Sequence, residues 1–293
     1  MRPWVEAARP KTLPAAIAPV IVASALAWRH GVFDHWPALI CLAFALLIQV
    51  GTNFANDYYD FLKGADTPDR IGPRRAVASG AIAPETMRRG MRLVFLAAFL
   101  VGCGLIYYGG WWLLVVGVAS ILCGIAYTGG PYPLGYHGLG DLFAFLFFGV
   151  VAVMFTYYVQ AGVFTGDACL VSVAVGLLVA NILLVNNYRD EATDRRAGKR
   201  TLVVRFGKVF ASYQYQLSCL VALLIPVLLW RKGYGPAVML PLLLWPLVVR
   251  LRRRLAQSRS GSEFNALLAA TARFLVLYAI AIAAGLVVDR VVG

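Results

Sequence analysis

Charged residues are scarce in this sequence. Asp, Glu, Lys and Arg make up 14% of its 293 residues, whereas hydrophobic residues make up 60%. A soluble domain usually carries about 25% charged residues, so the composition excludes an ordinary soluble globular protein. Long apolar runs instead predict an all-α integral membrane protein.

Cysteine and histidine are also few. The five cysteines form no Cys-x-x-Cys pair and no Cys/His pairing, and His30, His35 and His137 are scattered in or beside predicted loops. A disulfide framework and a zinc site are therefore not expected, and the cysteines are interpreted as small buried apolar residues. The first residues show no small-residue cleavage site after a short apolar core, so the first helix is expected to be retained.

Nine apolar stretches are candidate transmembrane helices. They cover residues 13–29, 36–56, 92–109, 111–127, 140–161, 167–187, 211–230, 234–250 and 268–288. With these spans most Lys and Arg residues fall on one side, and the other side keeps only Arg29, Arg231, Lys232 and Arg290. The positive-inside rule then predicts a multi-pass protein of the cell membrane with its N-terminus in the cytoplasm and its C-terminus outside. The net charge of +13 is interpreted as an orientation signal, with attraction to lipid headgroups, and not as a nucleic-acid-binding surface.

Two acidic segments of similar sequence end the second and sixth of these spans. Residues 56–60 and 186–190 share the frame Asn-x-Tyr-x-Asp, and each is followed by a further aspartate, Asp66 or Asp194, and by several Arg and Lys residues. Both spans run in the same direction. This predicts two pseudo-repeated four-helix units plus a ninth helix in a single domain, 1–293. Chance recurrence of polar residues at helix ends is the alternative interpretation.

The spacing inside each segment favours a divalent metal site. Asn56 and Asp60 are four residues apart and share a helical face, as do Asp190 and Asp194. Carboxylates near hydrocarbon usually have a partner or a task, and Mg²⁺ prefers oxygen ligands together with substrate phosphates. Two such faces, ringed by Arg and Lys, therefore predict Mg²⁺ and a bound diphosphate leaving group.

Tyrosines near the same level suggest what the diphosphate carries. An allylic prenyl diphosphate leaves a carbocation, which aromatic faces stabilise. Tyr58 and Tyr188 are the preferred candidates because they lie inside the repeated frame, and Tyr127 lies near the same level. An interfacial aromatic belt is the alternative explanation for these tyrosines.

Four segments together carry a resemblance to a known family. They are 8–20, 56–67, 127–131 with 138–141, and 186–202, in order and in register with the nine spans. The chain resembles the UbiA superfamily of membrane prenyltransferases, and within it the branch that prenylates 1,4-dihydroxy-2-naphthoate in menaquinone synthesis. The resemblance covers nearly the whole chain. It implies a UbiA-like helical bundle that binds a polyprenyl diphosphate through Mg²⁺, transfers the prenyl group to 1,4-dihydroxy-2-naphthoate and releases CO₂, giving demethylmenaquinone.

Residue roles follow from the matched motifs and from the chemistry they imply. Catalytic roles are expected for Asp60, Asp190, Asp194, Tyr58 and Tyr188. The expected metal ligands are Asn56, Asp60, Asp66, Asn187, Asp190 and Asp194. The expected substrate-binding residues are Arg9, Lys63, Arg70, Arg75, Tyr127 and Lys199. Arg75 is assigned to the diphosphate and Lys63 or Lys199 to the aromatic ring, because the planar fork of Arg suits phosphate oxygens.

One position departs from the pattern of the superfamily, which places a third acidic residue in the first motif. Residue 64 is Gly here, and the next carboxylate is Asp66. A metal ligand supplied from the loop and a salt bridge to Arg70 are both open for Asp66.

Other functions compete with this interpretation. A related prenyltransferase could act on 4-hydroxybenzoate, homogentisate or a nucleoside product of the menaquinone pathway. An ion-coupled transporter or channel would also carry carboxylates, but here they gather at one predicted level. A purely structural membrane protein would leave both acidic segments unexplained.

Overall fold

The computed structural model describes residues 2–66, 72 and 74–292, and all regular structure in this part of the chain is helical. The helices are α1 (Arg2–Ala8), α2 (Pro14–Arg29), α3 (His35–Leu62), α4 (Pro84–Cys103), α5 (Ile106–Gly109), α6 (Trp112–Ala126), α7 (Gly140–Ala144), α8 (Ala152–Ala161), α9 (Gly166–Arg196), α10 (Leu202–Arg231), α11 (Trp245–Gln257) and α12 (Gly261–Val292). A π-helical segment, Phe145–Val151, joins α7 to α8, and 3₁₀ turns cover Pro10–Thr12, Leu134–His137 and Pro236–Leu244.

The all-α fold class is confirmed, whereas the expected number of nine spans is not. Six described helices are long and apolar enough to cross a membrane, and the bent pair Arg2–Thr12 and Pro14–Arg29 would make a seventh. The other two expected spans fall short for different reasons. Residues 111–127 form a helix of only 15 residues, α6, and residues 234–250 are divided between a 3₁₀ segment and α11.

Short polar side chains and glycines set the ends of the long helices. The side chains of Asp34, Thr165 and Thr201 accept backbone hydrogen bonds at the start of α3, α9 and α10, which satisfies amide groups that have no partner inside the helix. Gly64 and Gly198 adopt positive φ just after α3 and α9. Both acidic segments therefore form the last turns of long helices that end in a chain reversal.

Helix α9 lies at the centre of the bundle. It packs on α8, α10, α12 and the π-helical segment, and most of its apolar stretch is buried. The approach to the π-helical segment depends on two glycines, because a Cβ at Gly149 would lie 2.5 Å from Cα of Gly176 and 2.8 Å from the carbonyl oxygen of Ser172. Small residues allow such backbone contact between membrane helices, and the contact fixes the depth of α9 in the bundle.

A cluster of polar side chains closes the end of the bundle away from the acidic segments. His30 Nδ1 lies 2.6 Å from the hydroxyl of Tyr157, and its Nε2 lies 2.7 Å from that of Tyr234. Tyr234 donates to Asp167 over 2.7 Å, and Arg29 pairs with Asp289. These contacts join α2, α8, α9, α12 and the α10–α11 connection, so they hold the far ends of the helices together.

The glycine contact predicts a stability change. Gly149→Ala should destabilise the folded protein by about 1–3 kcal/mol, because the new methyl group meets backbone atoms that cannot rotate away. Thermal unfolding in detergent measures this as a lower Tm. Gly166→Ala on α9 is the control, since its Cβ would meet only the Lys232 amine at 3.8 Å. Equal Tm values for the two variants would contradict the contact.

Candidate active site

The first acidic segment contributes a polar face at the end of α3. Asn53, Asn56 and Asp60 follow one another at spacings of three and four residues, and all three line the same internal cavity. Asp60 is buried, with 2% of its surface exposed. A buried carboxylate is costly unless it is paired and hydrogen-bonded, so its partners define the site.

Three separate segments supply those partners. Arg75 Nη2 lies 3.3 Å from Asp60 Oδ2, and Lys199 Nζ lies 3.3 Å from Oδ1. The hydroxyl of Tyr136 donates to Oδ1 over 2.9 Å. Asp60 therefore joins the loop before α4, the loop after α9 and the loop between α6 and α7.

Arg75 is held in place by two other aspartates. The carboxylate of Asp57 accepts the backbone N–H groups of Ala76 at 3.0 Å and Val77 at 3.1 Å, and Asp66 lies 3.4 Å from Arg75 Nε. Arg75 Nη1 is buried without a hydrogen-bond partner among the described residues, and Arg75 lines the cavity. A buried guanidinium N–H group without an acceptor suits an anionic ligand.

The second acidic segment is organised by Arg189. This buried side chain donates to both oxygens of Asp190, at 2.7 and 2.6 Å, and also to Asn186 and Asn265 at 2.7 Å each. The bidentate geometry fixes the Asp190 carboxylate. Asp190, Asp194, Asn186 and Asn187 line the same cavity as Asp60, so the structure brings the two segments together.

The uncharged loop 128–139 lies against both acidic segments. Lys63 donates to the carbonyl of Thr128 at 2.7 Å, and the backbone N–H of Arg200 donates to the carbonyl of Tyr136 at 2.8 Å. The ring of Tyr136 has Lys63 Nζ at 4.7 Å and Lys199 Nζ at 4.6 Å from its centroid. These cation–π contacts and hydrogen bonds fix the loop over the site.

Burial changes the acidity of three groups around this loop. It raises the pKa of Tyr127 and of Tyr136, and Asp60 adds to the effect on both. Both phenols therefore stay protonated, and Tyr136 acts as a hydrogen-bond donor. Burial lowers the pKa of Lys63, while Asp60 opposes and Lys199 reinforces this shift.

Beyond the acidic residues the cavity lining is mostly apolar. The cavity has a volume of about 330 Å³ and continues between α2, α3, α6 and α8 past Phe44, Phe147 and Phe155. Asp60 and Cys41 both line it, and at an axial rise of about 1.5 Å per residue they lie about 28 Å apart along α3. The cavity therefore has a polar end and a long apolar extension.

The expected site residues in the described part of the chain form three groups: residues that line the cavity, residues that support it from outside, and two tyrosines that lie away from it. Those that line the cavity are Arg9, Asn56, Asp60, Arg75, Tyr127, Asn187, Asp190, Asp194 and Lys199. Lys63 and Asp66 support it from outside the lining, through Thr128 and Arg75 respectively. Two roles were open for Asp66, a metal ligand and a salt bridge to Arg70. Arg70 lies outside the described residues, and the contact that the structure describes for Asp66 is an ion pair with Arg75.

Tyr58 and Tyr188 do not lie where the catalytic assignment needs them. Tyr58 packs against Tyr59 and Tyr188 packs against Phe264, and neither lines the cavity. The physical reason is helical geometry, because each tyrosine precedes its aspartate by two residues and residues two apart do not share a face. The phenol that donates a hydrogen bond to Asp60 is that of Tyr136, which comes from the loop.

Asp57 and Arg189 are supporting residues that the sequence did not single out. Both sit inside the repeated frame, one residue from a neighbour in the acidic face, and both are buried. A charged residue inside the repeated frame that is not itself a predicted ligand is the signal that could have found them, since a buried charge must have a partner.

The donor set fits a hard divalent cation. Asn56, Asp60, Asn187, Asp190 and Asp194 offer only oxygen atoms to one cavity, the ligand chemistry that Mg²⁺ prefers. Within the described residues no three His, Cys, Asp or Glu side chains form a ready-made metal site. Arg75, Arg189 and Lys199 hold the carboxylates instead, so the chain alone supplies separated ligands, and a phosphate could complete the coordination.

The fold and this site together define a multi-pass membrane protein with a buried acidic and cationic centre at the head of an apolar cavity. The model of the UbiA prenyltransferase family matches residues 16–277, and the chain belongs to this family.

Named relatives and a solved structure agree with this assignment. The chain is 44% identical over 214 residues to the 1,4-dihydroxy-2-naphthoate octaprenyltransferase of Escherichia coli (strain K12), covering 71% of this chain and 70% of that protein. It is 38% identical over 284 residues to the enzyme of the same name from Mycobacterium tuberculosis, covering 97% and 96%. The fold is similar to that of a UbiA homologue from Archaeoglobus fulgidus bound to GPP and Mg²⁺, with a TM-score of 0.63, 12% identity and coverage of 96% and 99%.

The support that Asp57 gives to the Arg75 loop can be measured without substrate. Asp57→Asn removes a charged acceptor from two backbone amides, which should cost about 1–3 kcal/mol locally. Hydrogen exchange in a peptide covering residues 74–82 should then accelerate about tenfold or more. Asp34→Asn, at the opposite end of α3, is the control and should leave this peptide unchanged. Unaltered hydrogen exchange in Asp57→Asn would show that Asp57 does not stabilise the Arg75 loop.

Proposed function

We propose that this protein transfers a polyprenyl group from a polyprenyl diphosphate to 1,4-dihydroxy-2-naphthoate, with loss of CO₂, giving demethylmenaquinol, the reduced form of demethylmenaquinone. The observation that carries the proposal is the single cavity that joins two acidic helix ends, with their cations, to a long apolar extension. The activity shared by the relatives supplies the identity of the acceptor.

The polar end of the cavity suits the diphosphate. Asn56, Asp60, Asn187, Asp190 and Asp194 would hold Mg²⁺, which would neutralise the diphosphate and stabilise it as it leaves. Arg75 offers an unsatisfied Nη1 to the phosphate oxygens, and Arg9 lines the same end. These fixed charges stabilise the leaving group without having to reorganise.

The apolar extension suits the prenyl chain. Its walls include Phe44, Phe147, Phe148 and Phe155, which would shield an apolar chain from water. Glycines reduce the bulk of the wall, and a Cβ at Gly117 would meet only the ring of Phe44, at 3.9 Å. This part of the cavity binds the tail, while the polar end positions the reacting carbon.

The chemical step exchanges bonds at the allylic carbon. The carbon–oxygen bond breaks with its electron pair leaving on the diphosphate, and the allylic carbon becomes electrophilic. The carboxylate-bearing ring carbon of the naphthoate attacks it, and the carbon–carbon bond to the carboxylate then breaks, releasing CO₂ and restoring the aromatic ring. Tyr127 and Tyr136, both neutral phenols beside Asp60, are the rings that face the developing cation.

Lys199 is the residue we assign to the acceptor. It lines the cavity, whereas Lys63 does not, and Lys63 instead fixes the loop through Thr128. A cation at Lys199 would bind the carboxylate or an ionised hydroxyl of the naphthoate, which needs electron density at the attacked carbon.

Two other functions fit the structure less well. A prenyltransferase for 4-hydroxybenzoate would share the diphosphate site, but the relatives' common activity favours the naphthoate. For a transporter, the carboxylates that line the described cavity are Asp60, Asp190 and Asp194, all at one end. They leave the apolar length of the cavity without an ionisable path.

The orientation follows from the same geometry. We place the acidic segments and the N-terminus on the cytoplasmic side of the cell membrane, because the loops after α3, α9 and α11, taken together with the helix ends that flank them, carry most of the basic residues. Nine crossings result if α6 and the segment 236–257 join the seven longer candidates, as two four-helix units and a last helix, α12. The C-terminal end of α12 then lies outside.

Product formation tests the activity. Purified protein, Mg²⁺, 1,4-dihydroxy-2-naphthoate and prenyl diphosphates of several lengths should yield the decarboxylated prenyl naphthoquinol, detected by mass spectrometry. Asp60→Ala, Asp190→Ala, Asp194→Ala and excess EDTA should each lower the rate by about 100-fold or more. Glu191→Gln is the matched control, because Glu191 pairs with Arg195 at the surface. Full turnover in EDTA, or prenylation of 4-hydroxybenzoate alone, would contradict the proposal.

The acceptor role of Lys199 predicts a selective kinetic effect. Lys199→Met should raise KM for the naphthoate about tenfold or more, and should change KM for the prenyl diphosphate less. Lys208→Met is the control, since Lys208 lies over the ring of Tyr188 and outside the cavity. An effect confined to the diphosphate would assign Lys199 to that substrate instead.

A further inference from the structure

A second groove lies on the outside of the bundle, between α10 and α11. Gln216 and Leu220 line it from α10, one turn apart. The α11 residues that line it recur at intervals of three or four positions along the helix, from Trp245 to Gln257. One continuous face of α11 therefore forms the groove, and none of its residues belongs to the cavity that holds the acidic segments.

The two ends of the groove differ in chemistry. Trp245 and Val249 face it at one end, and Arg252 and Arg253 at the other. Because α10 and α11 run in opposite directions, Leu220 lies toward the apolar end and Gln216 toward the basic end. The groove thus combines an apolar floor with a cationic, hydrogen-bonding head.

The cations of this head are exposed, and the described part of the chain offers them no counter-charge. Arg252 and Arg253 are exposed, and within the described residues neither pairs with a carboxylate. The outward face of α10 beside them is apolar, with Tyr213, Leu217 and Leu224 exposed by 67, 62 and 51%. Such a face contacts lipid tails in a membrane, so the groove opens where lipid is the neighbouring molecule.

We propose that this groove is a binding site for an anionic phospholipid. The guanidinium groups of Arg252 and Arg253 bind the phosphate and the further negative charge of the headgroup. Gln216 and Gln257 offer amide hydrogen bonds, and an acyl chain lies along Leu220, Val249 and Trp245. A free phosphate ion would leave the apolar part uncovered, so the complementary ligand is the lipid.

The alternative is that the arginines of α11 serve only as an orientation signal. That role depends on their number and not on their position. Arg250 and Arg254 belong to the same helix and are also exposed, but they do not line the groove. Comparing substitutions in the two pairs of arginines therefore distinguishes a specific site from diffuse electrostatic attraction.

Lipid binding to the purified full-length protein tests the proposal. Native mass spectrometry should show that phosphatidylglycerol binds about tenfold or more tightly than phosphatidylcholine. Phosphatidylglycerol should also raise the Tm of the protein more than phosphatidylcholine does. Arg252→Gln/Arg253→Gln should abolish this preference, whereas Arg250→Gln/Arg254→Gln should retain it. Ala256→Phe fills the groove and keeps all the arginines, and it should also weaken phosphatidylglycerol binding. This variant replaces the first double variant if that one does not fold.

Several outcomes would overturn the site. Equal losses in both double variants would mean diffuse attraction, and equal binding of the two lipids would mean no headgroup recognition. Inorganic phosphate that reproduces the Tm increase would mean a simple anion site. Reporter fusions at the α9–α10 loop should show unchanged topology in both double variants, which separates lipid binding from orientation.

Discussion

Asp60 is the residue on which the site depends, because a buried carboxylate at the edge of a membrane must be neutralised by what surrounds it. Its two oxygens contact Arg75, Tyr136 and Lys199, which come from three loops that are far apart in sequence. Removing one partner of a buried ion pair leaves an uncompensated charge. The loops are therefore held over the cavity by the same charge that the chemistry uses.

The same arrangement would let the proposed site for Mg²⁺ and a diphosphate persist without them. The carboxylates are balanced by Arg75, Arg189 and Lys199, so neither segment is left as an exposed cluster of like charges. With metal and both substrates bound, the phosphate oxygens would partner Arg75 and the acceptor would partner Lys199, which would leave the carboxylates available to the metal. The far end of the bundle, held by its own polar cluster around His30, need not move.

The sequence was sufficient for the elements with strong local signals. The apolar runs predicted the helical bundle, and the four-residue spacing of Asn56 with Asp60 and of Asp190 with Asp194 predicted their shared faces. The catalytic role predicted for Tyr58 and Tyr188 rested on membership in a repeated frame, and the helical geometry, which leaves both residues off the cavity lining, does not favour it. The roles of Asp57 and Tyr136 depend on contacts with segments that are distant in sequence, so the local pattern does not identify their partners. The two weakest spans are short or contain Pro236 and Pro241, so window hydropathy overstated their helical length.

The central claim is that Mg²⁺ links the carboxylates of both helix ends to the diphosphate. Calorimetric titration of the detergent-solubilised protein with a non-reactive prenyl thiodiphosphate tests it directly, with and without Mg²⁺. Binding should tighten about 100-fold or more with Mg²⁺, and Asp60→Asn or Asp194→Asn should each remove most of that gain while Glu191→Gln keeps it. Equal affinity with and without the metal, or a metal effect that survives both aspartate variants, would contradict the claim.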